Sequence, residues 1–132
     1  MNRKTFTLEE ARGLVDWLEN IFRSVDPIRN RLTELGEQIR KIQTGIASNG
    51  GGASNEQFEM YQRDFDETAH RIEELIKPIN DKGILVKSIQ QGLVDFPSIR
   101  EGREVYLCWQ LGEQSVMFWH EVDIGFMGRK PL

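Results

Sequence analysis

From Ala11 the apolar residues fall at alternating steps of three and four: Ala11, Leu14, Leu18, Ile21, Val25, Ile28, Leu32, Leu35, Ile39, Ile42 and Ile46. A seam of that period predicts a coiled-coil-like helix, and Val15 and Phe22 widen its apolar face. Thr7-Leu8-Glu9-Glu10 in front of it has the form of a capping box, which starts the helix at residue 7. Pro27 lies inside the seam, where it removes one backbone hydrogen bond and crowds the preceding turn at a cost of roughly 3 kcal/mol. Because the seam keeps its register across Pro27, the expectation is one kinked helix over 7–47, with a restart capped by Ser24 or Asp26 as the alternative. Three consecutive glycines make residues 48–54 a linker rather than a packed element. Phe58, Tyr61, Phe65, Thr68, Ile72, Leu75 and Ile79 then repeat the spacing behind a second capping box, Ser54 with Gln57, and predict a return helix over 55–82.

Past Gly83 the period changes to two. Ile84 to Val86 starts one strand, and Leu93 to Phe96 forms another that Pro97 is expected to end. Glu101-Gly102 marks a turn. Arg103 to Leu111 sets Val105, Leu107, Trp109 and Leu111 on one face and Glu104, Tyr106, Cys108 and Gln110 on the other. Ser115 to Val122 alternates as well. Residues 84–132 thus read as a small antiparallel β-meander of three or four strands, and the chain as one α+β domain over 1–132: a long antiparallel helical hairpin followed by that meander.

The register of the last hairpin decides which side chains meet. A two-residue turn at Glu113-Gln114 sets Cys108 opposite Trp119 and gives the cleaner apolar face, so it is the expected register. Cys108 and His120 then point to opposite faces, whereas a three-residue loop would bring them together.

Composition narrows the function classes. Net charge is -4, with 12 basic against 15 acidic residues in 1–83 and 5 against 6 in 84–132, so neither half offers a basic arm to nucleic acid. Charged residues interrupt every apolar run well short of a membrane span, and Glu9, Glu10 and Arg12 break any leader-like segment, so a cytoplasmic protein is expected. The single Cys108 cannot form an internal disulfide.

GLVDFP, GREVYLCWQLGE, FWHEVDIGFMGR and the final KPL, with the FTLEEA opening at Phe6 to Ala11, resemble the uncharacterised bacterial family known as domain of unknown function 2203. The resemblance spans the chain and is strongest from Gly92 onward. It implies a small protein with a helical front and a compact C-terminal block, and it implies no activity or catalytic residue.

Candidate chemistry gathers in that block. Cys108 would be a nucleophile if His120 activated it, although a cysteine in a strand is more often a small buried residue. His120, Glu113 and Asp123, with Asp95 nearby, carry imidazole and carboxylate ligands suited to a divalent metal, without an HExxH or Cys-x-x-Cys spacing. Arg103 and Arg129, with Arg100 and Lys130, offer cations for a phosphorylated metabolite. Tyr106 and Trp119 share an exposed face in the expected register, rimmed by Asp95, Glu104 and Glu121, which suits a protein partner. The leading expectation is therefore a non-enzymatic, self-associating interaction module, with a homodimer favoured because two helices leave apolar surface uncovered. The alternative is a small metal- or phosphometabolite-binding protein or enzyme, for which Asp95, Arg103, Tyr106, Cys108, Trp119 and Arg129 supply ligand contacts. No cofactor is required by the sequence.

Overall fold

The computed structural model describes residues 4–49 and 55–132. Three helices, α1 (Leu8–Gly13), α2 (Val15–Asn49) and α3 (Asn55–Asp81), precede five strands: β1 (Leu85–Ser88), β2 (Leu93–Arg100), β3 (Arg103–Gln110), β4 (Phe118–Glu121) and β5 (Lys130–Pro131). The α+β class, the helical hairpin and the antiparallel meander are all present. The expected linker falls partly on α2, and its residues 50–54, with the Ser54 cap, lie outside the described residues.

Thr7 caps α1 as its sequence predicts: its hydroxyl accepts from the Glu10 N–H at 3.1 Å, and the Glu10 carboxylate accepts from the Thr7 N–H at 2.8 Å. Those bonds hold the Glu10 carboxyl below its usual range. The helical break comes at Leu14, which caps α1, and not at Pro27, which α2 absorbs without interruption. Helix α3 likewise continues past Pro78 to Asp81. It ends where Gly83 turns to φ +92° and the Ile84 N–H reaches back to the Ile79 carbonyl, a bond that satisfies a terminal acceptor.

The chain divides into two units, 23–75 and the remainder. Unit 23–75 is the paired stretch of α2 and α3. It buries Val25, Leu35, Ile42 and Ile72 and brings the Phe65 ring against Gly36. His70 lies on its solvated side, 2.8 Å from Glu74.

The other unit contains the sheet, with strands in the order β1-β2-β3-β4-β5 and every neighbour antiparallel. Its core face carries Val94, Phe96, Val105, Leu107 and Trp109, all buried. Against these pack Phe6, edge-on to Phe96 at 5.4 Å, and Phe22, tilted over Trp109 at 6.4 Å. The β2–β3 turn is Glu101-Gly102, both at positive φ, as a two-residue hairpin with right-handed strand twist requires.

Strand β2 does not stop at Pro97, contrary to the sequence expectation. The Pro97 carbonyl accepts from the Phe6 N–H at 2.7 Å, so its backbone polar groups point away from β3 and the missing N–H interrupts no bond of that ladder. Strand β4 is shorter than expected because 111–117 form a seven-residue loop. Val116 leaves the strand pattern to fill the core, and its carbonyl accepts from the Arg12 Nε at 3.1 Å. The two-residue β5 was not expected from the sequence.

Candidate functional site

The long loop also corrects the register. Cys108 pairs with Phe118, Leu107 with Trp119 and Tyr106 with His120, one residue away from the expected alignment. Antiparallel partners share a face, and Asp95 pairs with Cys108, so Asp95, Tyr106, Cys108 and His120 stand on one side of the sheet. Tyr106 and Trp119 therefore lie on opposite faces and are both buried, at 7% and 8% exposure, so the shared aromatic face does not form. Fixing the loop is Glu113, whose carboxylate accepts from the Gln110 N–H at 2.8 Å and whose carbonyl accepts from the Trp109 indole at 3.1 Å.

On this face Asp95, Cys108 and His120 are 3%, 0% and 3% exposed, and their ligand atoms lie within 4.8 Å of one another. His120 Nδ1 is 2.8 Å from the Glu121 carbonyl, which can only accept, so Nδ1 carries a proton. Nε2 faces Asp95 Oδ1 at 3.0 Å, with the edge of Tyr106 against the ring. Burial, then the Asp95 carboxylate, push the Cys108 thiol up to about 12, while Arg129, with Nη1 4.0 Å from the sulfur, acts in the opposite direction. The thiol stays protonated at neutral pH, and both His120 nitrogens are engaged elsewhere. His120 is thus not placed to act as a base for Cys108, and burial with the Asp95 carboxylate beside the thiol raises its pKa, which does not support Cys108 as a nucleophile.

The remaining sequence candidates separate. Arg129 lies between the Phe118 and Phe126 rings, 4.1 Å from each, and donates to Glu113 at 2.9 Å, which binds the C-terminal segment to the loop. Glu113 is thus committed to Arg129 and does not join His120. Asp123 is exposed at the rim of a cavity over the site. Arg103 belongs to the core-face side, 3.2 Å from Glu121. Arg100 and Lys130 lie over Trp119 at 4.7 and 5.0 Å and Lys130 is 3.9 Å from the Glu121 oxygen that Arg103 meets, so three of the cations gather at that sheet edge, around an acid, while Arg129 stands apart.

The cavity, about 250 Å³, has Asp95, Tyr106 and His120 in its lining together with Lys87 and the 122–126 segment, which is apolar apart from Asp123. Sequence reasoning passed over Lys87. The signal was its period-two spacing from Leu85, the partner of Asp95, although a bulge after Val86 disturbs that spacing.

The family described as an uncharacterized conserved protein, DUF2203, matches residues 4–132. The chain belongs to this family. No curated protein and no solved structure matches it, so the reading of this DUF2203 member rests on its own geometry. No helix among its described residues is long and apolar enough to cross a membrane.

Proposed function

We propose that this DUF2203 protein binds a thiophilic divalent cation, zinc above all, through Asp95, Cys108 and His120. The observation that carries the reading is the convergence of one thiol, one imidazole and one carboxylate, all buried, within 4.8 Å. Around tetrahedral zinc, nitrogen and oxygen donors stand about 3.3 Å apart and sulfur stands about 3.6 Å from either. Nε2 and Oδ1, 3.0 Å apart, would open by about 0.3 Å, and the sulfur, within 4.8 Å of both, would close in by up to about 1.2 Å. The Nδ1 proton bonded to Glu121 leaves Nε2 as the ligating nitrogen, which is how metal-bound histidines are usually oriented. Binding releases the thiol proton and the proton held between Asp95 and His120.

Cobalt(II) tests the reading, since a thiolate-to-cobalt absorption band reports sulfur ligation directly. One equivalent is expected to bind the metal-free protein and raise its unfolding midpoint by mass action. Cys108→Ala and Asp95→Asn are expected to weaken binding by at least about 100-fold. Tight binding without a sulfur band would reject the site.

A second, independent reading concerns unit 23–75. Ile28, Leu32 and Ile39 fall within one helical stripe of α2 and are only partly buried, which supports self-association of the hairpin. Sedimentation velocity is expected to give a dimer of the 15.3 kDa chain that Leu32→Lys dissociates; a monomer throughout would remove this reading.

A further inference from the structure

Three protein ligands leave a tetrahedral zinc one open position. Asp95 and His120 line the cavity of about 250 Å³ and Cys108 does not, so a metal held by all three would have its sulfur behind it and its open position toward the cavity. Resting on that metal reading, we propose that the cavity seats a short-chain aliphatic monocarboxylate, with its headgroup on the open position beside Lys87 and its chain along Leu93, Ile124 and Phe126.

Charge selects the headgroup. A divalent cation bound by one thiolate, one carboxylate and a neutral imidazole is formally neutral, so the ligand's own charge must be met by the surroundings. Among the described residues Lys87 is the one Lys or Arg in the lining, with its ammonium 5.7 Å from the centre of the Tyr106 ring. One negative charge is therefore matched. A phosphate dianion would bring a second negative charge that no further cation among the described lining residues meets.

Shape and polarity select the chain. Leu93, Val122, Ile124 and Phe126 make most of the wall apolar. That wall is held close by Gly128, where any Cβ would overlap the Ile124 side chain, and by Arg129, which is stacked on Phe126 and paired with Glu113. An aliphatic chain of about six carbons is expected to bind about fourfold more tightly for each methylene buried there.

The probe is sodium hexanoate, titrated into the cobalt-loaded protein. Hexanoate is expected to change the cobalt visible bands saturably. Acetate is expected to bind at least about tenfold more weakly for want of the chain. Inorganic phosphate and hexan-1-ol are expected to leave the bands unchanged at the same concentrations. Lys87→Met, an exposed position that leaves the metal ligands intact, is expected to raise the hexanoate dissociation constant by about tenfold. Cobalt bound with its sulfur band but indifferent to hexanoate would overturn this proposal and leave the metal reading standing. Failure of cobalt to bind would remove both. Phosphate binding as tightly as hexanoate, or acetate matching it, would overturn the assigned ligand class.

Discussion

The two faces of the sheet are both buried, yet by different means and with different contents. The core face sets Val94, Phe96, Val105, Leu107 and Trp109 against Phe6 and Phe22, with few polar groups to satisfy. The opposite face buries Asp95, Cys108 and His120 under the C-terminal segment, where each polar atom needs a specific partner. Burying apolar surface stabilises almost without regard to direction, whereas burying an acid and an imidazole is tolerable only in one geometry. The core face therefore explains why the unit folds, and the other face is where a function is to be sought.

The largest expected effects separate the faces directly. Trp109→Ala removes a fully buried ring and is expected to lower stability by about 3–5 kcal/mol while leaving cobalt affinity unchanged in the folded fraction. His120→Phe keeps a planar ring, of somewhat larger volume, but leaves the Asp95 carboxyl buried without its imidazole partner, at an expected cost of similar size, about 3–5 kcal/mol, and also abolishes metal binding. Adding Asp95→Leu to His120→Phe removes the stranded group. It is expected to recover most of the lost stability and none of the metal affinity, because a buried ion pair replaced by apolar side chains is often neutral or stabilising. Denaturant unfolding of the three variants decides the matter. A double variant as unstable as His120→Phe alone would mean that the second face is held by packing, like the first.

The core face was legible in the sequence and the site was not, for reasons that lie in particular residues. Val105, Leu107 and Trp109 alternate without interruption, and Thr7 with Glu10 and Glu101 with Gly102 are local signals whose partners lie within three residues. Asp95 and His120 lie 25 residues apart, so their meeting depends on two registers at once. The deciding register was misjudged because Val116 and Phe118 were counted in one strand, when Val116 is a core plug at the end of a loop shaped by Glu113 and Arg129. A preference for aligned apolar rows rewards the wrong pairing here, since the true alignment deliberately sets polar residues side by side on a buried face. Pro97 and Leu14 misled for a related reason: the Phe6 N–H and the helix ends that decide their roles are tertiary features.

Alkaline pH gives a smaller but more pointed separation. In the folded protein burial and Asp95 raise the Cys108 thiol to about 12 from its ordinary 9.0, so the folded state holds this proton more tightly than the unfolded chain does. The stability it contributes is complete below about pH 9 and is lost as the pH rises from there toward 12, by up to about 1.4 kcal/mol per pH unit. Other groups titrate in that range too, so the readout is the difference between the wild-type protein and Cys108→Ala, whose curve is expected to lack this slope. A core-face change such as Leu107→Ala is expected to lower stability equally at every pH. Zinc is expected to abolish the difference in slope, because a metal-bound thiolate has no proton left to lose. Parallel curves for wild type and Cys108→Ala above pH 9 would mean that the thiol titrates in the folded protein as it does in the unfolded chain. The second face would then be no drier than solvent, and a buried thiolate ligand would lose its physical basis.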